Sequence, residues 1–276
     1  MKVSIIVAVY KDVRALELIL ESLAEQTYEN FEVIVAEDGQ SLEMQRCVEK
    51  ARKAFIYIVK HTTQEDQGVR KARSQNNALL ASSGEYVIFI DGDCIPYSNF
   101  VEGHVSLAEK KTALSGRRVN IPIMMVPKVR DGSIKLIEIE KNLFKYPSLW
   151  FDKKVRFKQA IYLKPNSLLY KIVSLRDAST SILGSNFSCF KKDMVDLNGF
   201  DESYSETAIP DDIDWEWRFI ASGVKLKSCK NVANQFHLDH KIHDRGDATP
   251  YLKIMNERKK ANMFVCEKGL NTHNDK

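Results

Sequence analysis

Asp91-Gly92-Asp93 stands directly after five consecutive β-formers, Tyr86-Val-Ile-Phe-Ile90. A run with no polar face reads as a strand buried on both sides. Open α/β sheets place their ligands beyond the C-terminal ends of such strands. Two carboxylates in one turn repel each other and lose hydration there, so they want a cation. A divalent metal bridging to a phosphorylated ligand supplies one. A plain strand-ending turn accounts for Asp and Gly equally well, and Asp-x-Asp recurs at Asp212-Ile213-Asp214. Position after a buried strand is what separates the first copy from the second.

A second acidic cluster, Pro210-Asp211-Asp212-Ile213-Asp214, opens a helix in which Ile213, Trp217, Ile220 and Ala221 are spaced as a core-facing stripe. Proline and acidic residues suit any helix start, and Asp214 with Arg218 makes an i,i+4 pair. Three acids in four residues exceed what capping needs, which leaves one to serve as a base. His237-Leu-Asp-His240 follows an expected short strand, Asn231–Phe236, with His243 and Asp244 just beyond. The spacing fits no closed zinc site. It suits an oxygen-rich divalent site completed by one of the histidines.

The elements that must position these residues alternate along the first hundred positions. Strands are expected at Val3–Val9, Phe31–Ala36, Phe55–Val59 and from Tyr86, with helices over Val13–Ala24, around Ser41–Arg52 and over Gly68–Ala81. Such a series implies a doubly wound, mostly parallel sheet. Three loops at strand ends, Tyr10–Asp12, Glu37–Gln40 and Asp91–Cys94, then share one edge. Nucleotide binding is the default use of that edge. The turn after the first strand contains no glycine and no Walker A sequence occurs, so phosphate must be held by something other than a glycine-rich loop. From Leu114 to Ser181 the periodicity degrades into a basic, aromatic stretch that includes Tyr146, Trp150, Phe151, Lys153, Lys154, Arg156 and Lys158. A segment shaping a second-substrate site and a solvated insertion fit it equally. Gly184–Phe190 reads as a further strand.

The chain has 276 residues, 44% hydrophobic and 28% charged, ordinary values for a globular protein with a sizeable core. A formal charge of +4 is too small to argue for nucleic acid. Five cysteines without Cys-x-x-Cys spacing indicate neither a disulfide framework nor a zinc site. No apolar stretch approaches the roughly 18 residues of a membrane span. A cytoplasmic protein is expected, at most peripheral on the inner membrane face, where the basic middle segment suits an anionic leaflet.

Several ordered stretches together resemble a family 2 glycosyltransferase of the GT-A fold. They are Val3-Ser-Ile-Ile-Val-Ala-Val-Tyr-Lys-Asp12, Glu29-Asn-Phe-Glu-Val-Ile-Val-Ala-Glu-Asp-Gly39, Asp66-Gln-Gly-Val-Arg-Lys-Ala-Arg-Ser-Gln-Asn76, Asn198-Gly-Phe-Asp-Glu202 and Asp211-Asp-Ile-Asp-Trp215 with Arg218. The resemblance implies a doubly wound, mixed but mostly parallel sheet flanked by helices. It divides the chain into a donor-binding half (1–113), an acceptor-binding and catalytic half (114–246) and a C-terminal helix and tail (247–276). Ala8, Tyr10 and Asp38 would meet the nucleotide, Arg73 the diphosphate, and Asp91 and Gly92 the donor beside the metal. Asp93, assisted by Asp91, would hold Mn²⁺ or Mg²⁺, and one of His237 and His240, with His240 favoured, would add a metal or phosphate contact. Asp212 would stand where the family places its base, with Asp211 beside it.

The implied reaction moves one sugar from a nucleotide sugar, most often a UDP-sugar, to a hydroxyl of a saccharide or lipid-linked glycan, with inversion. Asp211-Asp212 stands where Glu-Asp is more frequent, and Gln40 replaces the usual serine. The Gln-x-x-Arg-Trp signature of processive synthases is missing, which points to single-sugar transfer. A nucleotide-sugar hydrolase or nucleotidyltransferase would use the same acidic edge without an acceptor pocket. A non-catalytic glycan-binding protein would have no need of Asp93, Arg73 and Asp212 together.

Overall fold

Four parallel strands form the first part of the sheet: β1 (Val3–Val9), β2 (Phe31–Glu37), β3 (Ile58–Thr62) and β4 (Tyr86–Asp91). Helices α1 (Val13–Ala24), α2 (Leu42–Ala54) and α3 (Lys71–Ala81) connect them. This computed structural model describes all residues except 153, 166, 177–179, 205–210, 241–246 and 274–276. α1 forms because Ala15, Leu16, Ile19, Leu20 and Leu23 recur on one buried face. Asp12 caps it, accepting from the Ala15 N–H at 3.1 Å. β1 feeds both sides of the sheet through its alternation. Ile5 and Val7 pack with Leu16 and Leu20 on one side, and Ile6 packs with Leu79, Phe89 and Trp215 on the other.

β5 (Cys94–Pro96), β6 (Thr112–Ser115), β7 (Arg118–Ile121), β8 (Asn186–Phe190), β9 (Lys225–Ser228) and β10 (Gln235–Leu238) complete the strands among the described residues. The large sheet runs β3-β2-β1-β4-β8-β6-β9. β8 is antiparallel to both β4 and β6, which makes an otherwise parallel sheet mixed. The expected fold class is therefore found. A small sheet, β5-β10-β7, sits beyond the end of β4. Its register places His237 opposite both Cys94 and Asn120, so the chain leaving the acidic turn is hydrogen-bonded to the strand that carries the histidine.

Several boundaries differ from the sequence reading, by two residues or more in four elements. The third strand begins at Ile58 rather than Phe55, because α2 runs to Ala54 and Phe55 and Tyr57 stack on each other in the connection. α3 begins at Lys71, since Gly68 holds a positive φ of 65° outside any helix. β8 begins at Asn186, two residues after Gly184. β10 is displaced to Gln235–Leu238, which puts His237 inside the strand rather than after it.

The helix Asp211–Ala221 is correctly placed, but its expected stripe is not the buried face. Ile213, Ile220 and Ala221 are exposed, and Asp214, Trp215, Trp217, Arg218 and Phe219 are buried. Asp214 and Arg218 form the i,i+4 pair at 3.1 Å, and the guanidinium also donates to the carbonyls of Leu197, Gly199 and Phe264. Aliphatic spacing misleads here because a fully paired ion couple competes for the inner face. No helix among the described residues is long and apolar enough to cross a membrane.

Candidate donor and metal site

A cavity of about 640 Å³ opens where β1, β2 and β4 end. Tyr10, Asp38, Lys71, Asp91, Asp93 and Arg130 are among its walls, with Ala8, Gly92 and His240. Gly92 is glycine for a steric reason, because a Cβ there would lie 2.8 Å from the Ala8 carbonyl oxygen. That approach lets the acidic turn fold back over the end of β1.

The two aspartates of the turn have different partners. Asp91 takes Lys71 at 2.8 Å. Asp93 meets two imidazoles, His237 Nε2 at 3.2 Å and His240 Nε2 at 3.0 Å, on the same carboxylate oxygen. Burial works against its charge, but the histidine contacts prevail and hold its pKa well below the usual carboxylate range. Ligand atoms of Asp93, His237 and His240 all lie within 4.8 Å of one another, so a single ion can meet all three.

His237 is nearly buried and its Nδ1 lies 3.1 Å from Asn120 Oδ1. The amide is oriented independently, since its Nδ2 donates to the Lys154 carbonyl at 2.8 Å. An amide oxygen only accepts, so Nδ1 carries a proton, and Nε2 donates to Asp93 when the ring is cationic and turns a lone pair to it when the ring is neutral. Two lone pairs at that distance require a proton or a cation between them. A carboxylate, two imidazoles and a hydrogen-bonded second partner fit a divalent transition ion.

The remaining sequence-derived residues separate. Tyr10 is half exposed at the rim, its hydroxyl donating to Asp66 at 3.3 Å. Asp38 is spent on the far wall, accepting from Gln64 and from the Arg70 N–H, each at 2.7 Å. Arg73 does not line the cavity and pairs with Glu202 at 3.2 Å. Two positions along a helix turn a side chain by about 200°, so Lys71 faces the ligand edge where Arg73 cannot. Asp212 is half-buried against Gly184, whose N–H donates to it. Burial raises its pKa, the charge of Asp91 raises it further, and Lys71 opposes both. Asp211 begins the same helix, but its side chain lies outside the described residues, as do His243 and Asp244.

Lys71, Arg130 and Asn120 were not singled out by sequence. Arg130 grips Asp12 with both nitrogens, at 2.8 and 2.6 Å, across 118 positions of chain. Nothing local marks it, since it ends a short helix, Val126–Arg130, inside the stretch without periodicity.

The model of glycosyl transferase family 2 matches residues 4–162. The chain belongs to this family. Among curated relatives, glycosyltransferase AglE of Haloferax volcanii is 30% identical over 106 residues, covering 38% of this chain and 34% of its own length. The chain spans less than half the length of the curated relatives it matches. The family fold is also found in Staphylococcus aureus TarS 1-349 in complex with UDP, with a TM-score of 0.61 at 15% identity over 99% of this chain and 68% of that one. It recurs in the mannosyltransferase PcManGT of Pyrobaculum calidifontis in complex with GDP-Man and Mn²⁺, with a TM-score of 0.57 at 16% identity over 97% and 65% of the two chains. At these identities the likeness is one of fold, the GT-A arrangement of a mostly parallel sheet flanked by helices.

Proposed function

We propose that this family 2 member transfers a single sugar from a nucleotide diphosphate sugar to a hydroxyl of a saccharide or lipid-linked glycan, by one displacement with inversion. The observation that carries the reading is electrostatic. Asp212 senses the charges of Lys71 and Asp91, two residues of the cavity wall, while Asp93 holds the histidine pair at the other end of the same turn. Asp212 is not itself a wall residue, but it lies close enough to two of them to feel their charge, which supports a base set behind the cavity that would take the diphosphate.

Four carboxylates on the wall, Asp12, Asp38, Asp91 and Asp93, would repel a diphosphate without a counter-charge. Asp93, His237 and His240 are the residues that would hold the ion, two imidazoles favouring Mn²⁺ over Mg²⁺, and a bound ion would supply charge neutralisation at the diphosphate oxygens. Lys71 adds a fixed positive charge on the same wall. Asp212 takes the proton of the acceptor hydroxyl as its oxygen bonds to the anomeric carbon. The bond from that carbon to the diphosphate oxygen breaks, and the electron pair leaves with the nucleotide. A raised pKa suits this role, because a stronger base is easier to protonate in the transition state. Tyr10 and Asp38, both on the cavity wall, would meet the nucleoside. UDP is the favoured nucleotide, supported by the TarS complex with UDP.

The test is a thermal-shift screen of nucleotide sugars with and without Mn²⁺. A true donor at about a hundred times its Kd stabilises the fold by roughly 2.7 kcal/mol. Asp93→Ala should abolish the Mn²⁺-dependent part of the shift. A shift that is identical with and without the ion in the parent and the variant would remove the metal from the reading.

A further inference from the structure

Fourteen Lys and Arg stand against four Asp and Glu over 114–176, although the whole chain carries a formal charge of only +4. The excess positive charge is therefore gathered in one segment. Large apolar side chains stand out of that same segment: Met124 is 85% exposed, Phe144 68%, Phe151 83% and Trp150 43%. Two of them are joined. Phe144 and Trp150 meet edge to face at 5.4 Å, and both contact Phe157, at 6.1 and 5.5 Å. Met125, next to Met124, accepts from Ser148, which opens the short helix Ser148–Phe151. Lys145, Lys154, Arg156 and Lys158 are exposed around this cluster. Lys153 lies outside the described residues.

We infer that this aromatic cluster and its basic rim are a docking surface for an anionic lipid bilayer. Contiguous exposed apolar side chains mark an interaction site. The chemistry of the rim selects the partner, because lysine is depleted at the cores of protein interfaces. Trp with Phe and Met among Lys and Arg is the combination that seats at a bilayer surface, the rings at headgroup depth and the cations on anionic headgroups. The surface is joined to the catalytic edge. The Lys154 carbonyl accepts from Asn120, which in turn accepts from His237 beside Asp93. Docking would bring the Asp93–His237 end of the site toward the membrane. Vesicle binding requires no donor, so the inference stands or falls separately from the proposed transfer reaction.

The chain contains its own probe. Of the three tryptophans, Trp215 and Trp217 are 1% and 6% exposed, so Trp150 is the one able to change environment. Vesicles of phosphatidylcholine with phosphatidylglycerol should shift its fluorescence to the blue, and brominated acyl chains should quench it. Pure phosphatidylcholine should do neither. Trp150→Phe should erase the signal while sedimentation with anionic vesicles persists. Lys154→Ala with Arg156→Ala and Lys158→Ala should weaken binding at least about tenfold. Phe144→Ser with Phe151→Ser should abolish quenching with the thermal unfolding curve unchanged, since both side chains are exposed. Absence of any shift or sedimentation with anionic vesicles would overturn the inference. So would a shift that depends on protein concentration alone, which would make the face an interface between two copies of the chain.

Discussion

A Cβ on Gly184 would lie 2.6 Å from Oδ1 of Asp212. The missing side chain is what lets the carboxylate settle on the Gly184 N–H, just ahead of β8, and it ties the proposed base to the sheet. Gly184→Ala should push that carboxylate away. A displacement near 1 Å lowers turnover by about 10²-fold, and donor affinity measured by calorimetry should be unchanged. Normal turnover in this variant would show that the position of Asp212 is immaterial.

Asp212→Asn should leave donor binding intact and reduce turnover by about 10²–10⁴-fold. The pH profile carries the sign. Burial raises the Asp212 pKa above the ordinary carboxylate range, so activity is full when the group is ionised and is lost as pH falls through the raised value. Removing the cation that lowers it, in Lys71→Met, should move this acid limb to higher pH. A limb at the ordinary value of about 3.9 in the parent would argue against Asp212 as the base.

Asn120 fixes the tautomer of His237, and loss of such a partner typically weakens a metal site by about 10–100-fold. Asn120→Ala should therefore lower Mn²⁺ affinity in a titration followed by electron paramagnetic resonance without donor present. Affinity equal to that of the parent would remove His237 from the ligand set.

His104 lies in the helix Phe100–Leu107, fully buried between Asn186 at 3.1 Å and Ser188 at 2.8 Å. Burial pushes its pKa down to about 3 from 6.5. The folded chain thus refuses a proton that the unfolded chain accepts. Stability from this group is complete above the unfolded value and is lost as pH falls toward the folded one, at up to about 1.4 kcal/mol per unit. Urea unfolding across that acid range should have a shallower pH dependence in His104→Gln. An unchanged slope would place the acid sensitivity elsewhere.

Removing one partner of a buried ion pair destabilises a protein by about 3–5 kcal/mol. Arg218→Met should do so, because it removes the cation paired with Asp214, which keeps only Trp217 and Tyr204 as donors, and frees three loop carbonyls together. Denaturant unfolding measures the loss, and a change below about 1 kcal/mol would mean that water replaces the guanidinium.

Much of this molecule was legible in one dimension. Buried strands announce themselves as unbroken apolar runs, so β1, β2 and β4 and the acidic turn after β4 follow from Tyr86–Ile90 and its counterparts. Helix phase was less legible, because polar residues can own the inner face. The Asp214–Arg218 pair displaced the Ile213 and Ile220 stripe, and Lys71 took the cavity-facing position expected of Arg73.

What the sequence alone determined is the set of strand-end loops and their chemistry, since both depend on residues a few positions apart. Only the tertiary structure decided who partners whom. Asp91 and Asp93 are two residues apart and chemically alike, and they diverge because α3 brings Lys71 to one while the β5-β10-β7 register brings His237 to the other. Register between strands separated by some 140 residues is set by the packing of whole faces, and no local spacing records it.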